Sequence, residues 1–155
     1  MSLRVAVQMD PLDGINISGD STFAVMLGAQ ARGHQLYHYL ADALTWQDGR
    51  LYAGAHAVTV QAVSGGHFRL GEFTILDLGR DVDVLLMRQD PPFDLGYITA
   101  THLLERLKGE TLVVNDPAAV RDAPEKVWVL DFARFMPPTM VTRSLGAARK
   151  FIEKH

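Results

Sequence analysis

The first 40 residues read as strand, helix, strand, and this rhythm constrains the fold more than any other feature of the chain. Residues 3–9 form a short run rich in apolar and β-branched side chains. It stops at Asp10-Pro11, where proline removes the next ladder donor. After a polar loop through Gly14 and Gly19, Asp20 or Ser21 offers an N-cap. Phe23, Met26, Leu27 and Ala31 then recur at helical spacing until Gly33 closes the segment. Residues 34–40 alternate as a second strand. Two short strands separated by a helix pair in parallel, and a parallel sheet needs helices to cover its faces.

The pattern changes between residues 42 and 80. Asp48-Gly49 is a hairpin signal, and residues 51–63 and 67–76 read as extended segments with no helix between them. The parallel theme resumes with a strand at 82–87, a break at 88–94 and a helix carrying Tyr97, Ile98, Thr101, Leu104 and Leu107. A strand at 111–114 follows, then a turn at Asn115-Asp116-Pro117 and a short helix ending near Asp122. Pro124-Glu125-Lys126 suits the first turn of a helix that runs to Met136-Pro137-Pro138. Residues 139–142 read as a strand, and Ser144 caps a last helix through Ala147, Ala148, Phe151 and Ile152. The expected class is α/β: an open, mostly parallel, three-layer sheet with an antiparallel hairpin excursion around residues 42–80. Because the last helix has no sheet after it, residues 123 onward are expected to begin a second domain that this chain does not contain in full.

Composition narrows the function. The chain has 155 residues, 48% hydrophobic and 21% charged, which excludes disorder and suits about one complete domain. A net charge of −3 leaves no basic field for a phosphate backbone, so nucleic acid is not expected as a partner. No apolar run approaches the roughly 18 residues of a membrane helix, and the N-terminus lacks a signal-peptide core. A cytoplasmic protein with no membrane partner is expected. The absence of cysteine excludes disulfides, thiol nucleophiles and cysteine-based zinc sites, and the scattered histidines show no metal-ligand spacing.

Ligands of open parallel sheets collect beyond the carboxyl ends of the strands, where loops meet helix N-termini. Three loops are expected there, at residues 10–21, 88–94 and 115–122. Arg88 directly follows a buried run and can hold a carboxylate through two N–H groups; alternatively it pairs with Asp90 or Asp94 to shape the turn. The stiff Asp90-Pro91-Pro92-Phe93-Asp94 loop can present Asp90 to a ligand ammonium, or merely cap the next helix through Asp94. Asp20 and Ser21 open a helix and can cradle an anion, or act as a plain N-cap. Gly14 and Gly19 match no nucleotide fingerprint, and no Ser-His-Asp nucleophile arrangement is present. Trp46 and Trp128 are read as core or interface anchors.

The strings Gln8-Met9-Asp10-Pro11, Gly14-Ile15-Asn16-Ile17, Asp20-Ser21-Thr22-Phe23, Leu86-Met87-Arg88-Gln89-Asp90-Pro91-Pro92-Phe93-Asp94 and Val114-Asn115-Asp116-Pro117 resemble bacterial glutathione synthetases. Tyr97-Ile98-Thr99-Ala100-Thr101-His102 and Glu125-Lys126 extend the resemblance, which is loose only between about residues 40 and 78. It implies a Rossmann-like pre-ATP-grasp substrate domain over residues 1–122 and the beginning of an ATP-grasp domain over 123–155, with the remainder absent. The family joins γ-glutamylcysteine to glycine through an acyl phosphate made with ATP and Mg2+. Arg88 matches an arginine that contacts the peptide, and Lys126 a lysine that contacts the nucleotide. Catalytic and metal-binding residues are expected in the absent segment, so the fragment should be inactive alone and hold no cofactor tightly. The family habit implies a homo-oligomer. Two other readings stand beside this one: a free-standing, non-catalytic α/β binding or assembly module with Arg88 as a structural ion pair, and a related ATP-grasp carboxylate-amine ligase.

Overall fold

The computed structural model describes residues 1–155 apart from the side chain of Glu125. The chain divides into two compact units, Met1–Arg121 and Asp122–His155.

In the first unit, β1 (Arg4–Gln8) leads through the capped helix α1 (Ser21–Ala31) to β2 (Gln35–Tyr39). A meander follows: β3 (Leu44–Gln47), β4 (Arg50–Val60) and β5 (Phe68–Asp77). β6 (Val84–Met87), α2 (Leu95–Leu104), β7 (Leu112–Val114) and α3 (Pro117–Asp122) complete the order. β2, β1, β6 and β7 lie side by side in parallel, with Ala6 opposite both Tyr37 and Leu85. The meander belongs to the same sheet: β4 pairs antiparallel with β3 at residues 50–53, with β2 at residues 56–58, and with β5. The expected excursion is therefore present, and it makes the sheet mixed. Its first turn has both Asp48 (φ +50°) and Gly49 (φ +81°) in the left-handed region, the geometry that suits the twist of a two-residue hairpin.

β1 is central, and Val5, Ala6, Val7 and Gln8 are all buried. Alternation sends its side chains to two cores. Val5 and Val7 pack with Phe23 and Met26 of α1 and with Leu36, whereas Ala6 joins Leu85, Met87, Leu104 and the meander's Leu51, Ala53 and Leu76. A helix therefore covers each face of the parallel strands, which gives the three expected layers.

The second unit departs from the sequence reading. Its first helix, α4, is only Glu125–Trp128; a 3-10 stretch, Val129–Phe135, follows and is broken at Phe132 (φ −105°, ψ 24°). Residues 139–142 form no strand. Pro137 and Pro138 have no N–H to donate, and no neighbouring strand lies there to pair with, so β-branched residues alone do not make one. α5 (Leu145–Lys154) begins as expected, with Ser144 Oγ accepting from Ala147 N at 3.3 Å. None of the described side chains of this unit is buried, which is the condition of 34 residues too few to enclose a core. Trp46 and Trp128 are about half exposed, so neither serves as a core anchor. No helix among the described residues is long and apolar enough to cross a membrane.

Candidate functional site at the carboxyl edge of the parallel strands

β1 and β6 run in register from Val5 opposite Val84 to Gln8 opposite Met87, so the loops that follow them start side by side. The ladder continues one step further, with Arg88 N donating to Gln8 O at 2.8 Å. Arg88 is thereby fixed at its backbone before its side chain is considered.

The guanidinium turns toward the first turn of α1. Nε donates to Thr22 Oγ1 at 3.0 Å and Nη2 to Ser21 Oγ at 2.7 Å. Thr22 is 5% exposed, so its hydroxyl has no ready exchange with water and its bond to Arg88 is made inside the fold. Among the described residues no carboxylate lies within 4.0 Å of Arg88. The turn-shaping ion pair with Asp90 or Asp94 is therefore not formed. A guanidinium has five N–H donors, and two are occupied here; the other three remain for a ligand acceptor.

The carboxylates near it have divided tasks. Asp20 Oδ1 accepts from Phe23 N at 2.7 Å and caps α1, and Asp94 Oδ1 accepts from Tyr97 N at 2.9 Å and caps α2. Asp20 thus serves as an N-cap, while Ser21 steadies Arg88. Asp90 N donates to Asp10 Oδ2 at 2.6 Å, and the Gln8 side-chain amide donates to Gln89 Oε1. Beside these residues lies a cleft of about 360 Å3 whose polar lining includes Asp10, Asp42, Asp90, Asp94, Gln89 and Tyr97. Burial raises the Tyr97 phenol above its ordinary pKa; the negative charges of Asp90 and Asp10 add to the shift, and the positive charge of Arg88 opposes it. The charges of Arg88, Asp90 and Asp10 thus all reach Tyr97, which lines this cleft.

A second cleft, of about 310 Å3, lies between Leu12, His38, His56 and Phe73. It contains no lysine or arginine, and so nothing permanently charged to hold a carboxylate. His38 Nε2 lies 3.2 Å from the carbonyl of Asp10, and burial holds its pKa below the ordinary imidazole value. Among the described residues no three His, Asp or Glu side chains converge on a metal position.

The structure brings two of the three expected loops together, through Arg88 with Ser21 and Thr22 and through Asp90 with Asp10. The third loop is organised locally: Asp116 Oδ1 caps α3 by accepting from Ala119 N at 2.8 Å, and Arg121 pairs with Glu105 at 2.7 Å. Lys126 lies on α4 in the second unit. Sequence reasoning missed Thr22, Asp10 and Gln8 as organisers of the Arg88 loop. Gln8 carried a signal, because a polar residue ending a run of buried apolar ones needs a partner inside the fold.

Comparison with known proteins identifies the family. The model of the family described as "Prokaryotic glutathione synthetase, N-terminal domain" matches residues 3–121. The glutathione synthetase of Bradyrhizobium diazoefficiens is 54% identical over 155 residues, which is all of this chain and 49% of that protein. The glutathione synthetase of Rhodopseudomonas palustris is 52% identical over 155 residues, again 49% of its length, and that of Agrobacterium fabrum 51% over 148 residues, 46% of its length. The chain spans about half the length of the curated relatives it matches. A family match over the whole sheet unit, joined by relatives more than 50% identical, means that this chain belongs to the prokaryotic glutathione synthetase N-terminal domain family.

Proposed function

We propose that this chain is the substrate-binding N-terminal part of an ATP-dependent ligase that joins γ-glutamylcysteine to glycine in the cytoplasm. Residues 1–122 are then the pre-ATP-grasp domain, and the residues from about 123 begin the ATP-grasp domain. The boundary between the two compact units supports that division. ATP and Mg2+ activate the dipeptide carboxylate in this reading, and Lys126 is the residue assigned to the nucleotide. No described cluster suits a magnesium ion, so no metal step is assigned to this chain. Self-association is part of the same reading, and exposed Leu70, Phe73 and Ile75 on β5 are apolar surface that would support it.

What the residues of this chain do is bind and orient. The observation that carries the reading is Arg88, immobilised by Thr22 and Ser21 with three N–H donors uncommitted, beside a cleft walled by Asp10, Asp42, Asp90 and Asp94. A cation one residue along the chain from a carboxylate-lined cleft suits a ligand bearing both a carboxylate and an ammonium, and γ-glutamylcysteine bears both. Holding that ligand in one pose lowers the barrier to attack by a second substrate without any proton transfer by Arg88. In the complete enzyme, Arg88→Ala should raise the dipeptide KM by about tenfold or more, because a charge-assisted pair is lost, with the ATP KM changed less than about twofold. Unchanged dipeptide kinetics would refute the assignment.

A further inference from the structure

The Arg88–Asp94 loop has few means of holding its own shape. Residues 91 and 92 are prolines without N–H groups, and among the described residues the amide of Asp90 is the only backbone N–H from 89 to 94 with an assigned acceptor. That acceptor is Asp10 Oδ2, at 2.6 Å.

Asp10 is itself held from two sides. Its carbonyl faces His38 Nε2 at 3.2 Å; a carbonyl can only accept, so this ring nitrogen carries the proton. The residue that follows is Pro11, whose ring fixes φ at −55°. The carboxylate of Asp10 therefore projects from a backbone anchored on β2, and the amide it captures belongs to the loop after β6.

We propose that Asp10 is a positioning residue for substrate: its carboxylate clamps the backbone of Asp90 and so fixes the loop that carries the Arg88 guanidinium and, beside the cleft, the Asp90 carboxylate. This rests on the proposed dipeptide site and adds to it the element that sets its geometry. The clamp needs an acceptor oxygen at that place, and the carboxylate charge strengthens it. Asparagine there supplies the oxygen; alanine does not, and serine is too short to reach.

The test is steady-state kinetics of the complete enzyme with the dipeptide and ATP varied separately. Asp10→Ala should raise the dipeptide KM by about tenfold, the effect of losing one hydrogen bond to a charged group, with kcat and the ATP KM within about twofold. Asp10→Asn, which keeps the acceptor oxygen, should raise the dipeptide KM clearly less than Asp10→Ala. A merely structural role would instead lower Tm and the active fraction, read as kcat, at unchanged KM, and would overturn the proposal. Equal impairment of the Asn and Ala variants would also overturn it. Should Asp10→Ala fail to fold, Asp10→Ser must show the same KM increase, and an unchanged KM there refutes the clamp. Arg88→Ala run alongside separates the two levels: an unchanged dipeptide KM in that variant sinks the functional reading, whereas a raised KM there with a normal Asp10→Ala sinks only the clamp.

Discussion

Replacing Thr22 by valine removes one oxygen and almost no volume, which makes it a clean probe of how Arg88 is held. Valine and threonine have similar helix propensity, so α1 itself should not change. What is lost is the acceptor for Arg88 Nε at 3.0 Å, on a side chain only 5% exposed. A hydrogen bond to a charged group contributes about 1.5–3 kcal/mol when buried. Arg88 is half-buried and can recover part of this from water, so about 1 kcal/mol should be lost. For a unit of this size that lowers Tm by roughly 3–6 °C. Ser21→Ala removes an exposed partner and should cost less than about 0.5 kcal/mol. Urea unfolding followed by far-UV circular dichroism would measure both, and a cycle with Arg88→Met isolates the pair. The coupling between Thr22→Val and Arg88→Met should be about 1 kcal/mol. A coupling within about 0.3 kcal/mol of zero, with Thr22→Val as stable as the parent, would mean that the guanidinium is not anchored on α1.

Two further perturbations test the sheet and its edge. Leu85 is fully buried on β6 between Ala6 and the core under α2, so Leu85→Ala should cost about 3 kcal/mol in denaturant unfolding, and a loss below about 1 kcal/mol would contradict the packing described. His38 has its pKa lowered chiefly by burial, with the nearby His56 adding to the shift and the carbonyl of Asp10 opposing it. The unfolded chain then takes up the proton first, so the stabilisation is present above the ordinary imidazole pKa of 6.5 and is lost as pH falls through the lower folded value. Thermal unfolding from pH 7.5 to about 5 should show a steeper decline for the parent than for His38→Gln, and equal slopes would remove His38 from the account.

Local signals in the chain reach as far as local physics does. Asp10-Pro11 ends β1, Asp20 caps α1 and Asp48-Gly49 turns β3 into β4, each through chemistry confined to a few neighbouring residues. The site is a different matter. Arg88 was legible as a cation at a strand end, but its partners lie 66 and 67 residues away, and only the pairing of β1 with β6 brings them within reach. Asp90 was readable as an exposed carboxylate, whereas the binding of its amide by Asp10 depends on tertiary placement. Residues 139–142 failed for the converse reason: a strand is defined by its neighbour, and composition cannot supply one. The helix expected from Pro124 shortens to α4 and gives way to a 3-10 stretch broken at Phe132, a change that propensity does not contain.

The meander also bears on the order in which the chain assembles. Between the end of β2 and the start of β6 lie about 45 residues that must be brought back before the Arg88 loop exists, and a flexible loop of that length is entropically costly to close. The β3–β4–β5 hairpins form from neighbours in the chain, and once they are paired only about 10 residues of that stretch remain free, in the segments before β3 and after β5. By the logarithmic dependence on loop length, this reduces the closure cost by about 1.3 kcal/mol, close to a factor of 10 in the closing equilibrium. The meander thus assists the assembly of the edge where the substrate is proposed to bind.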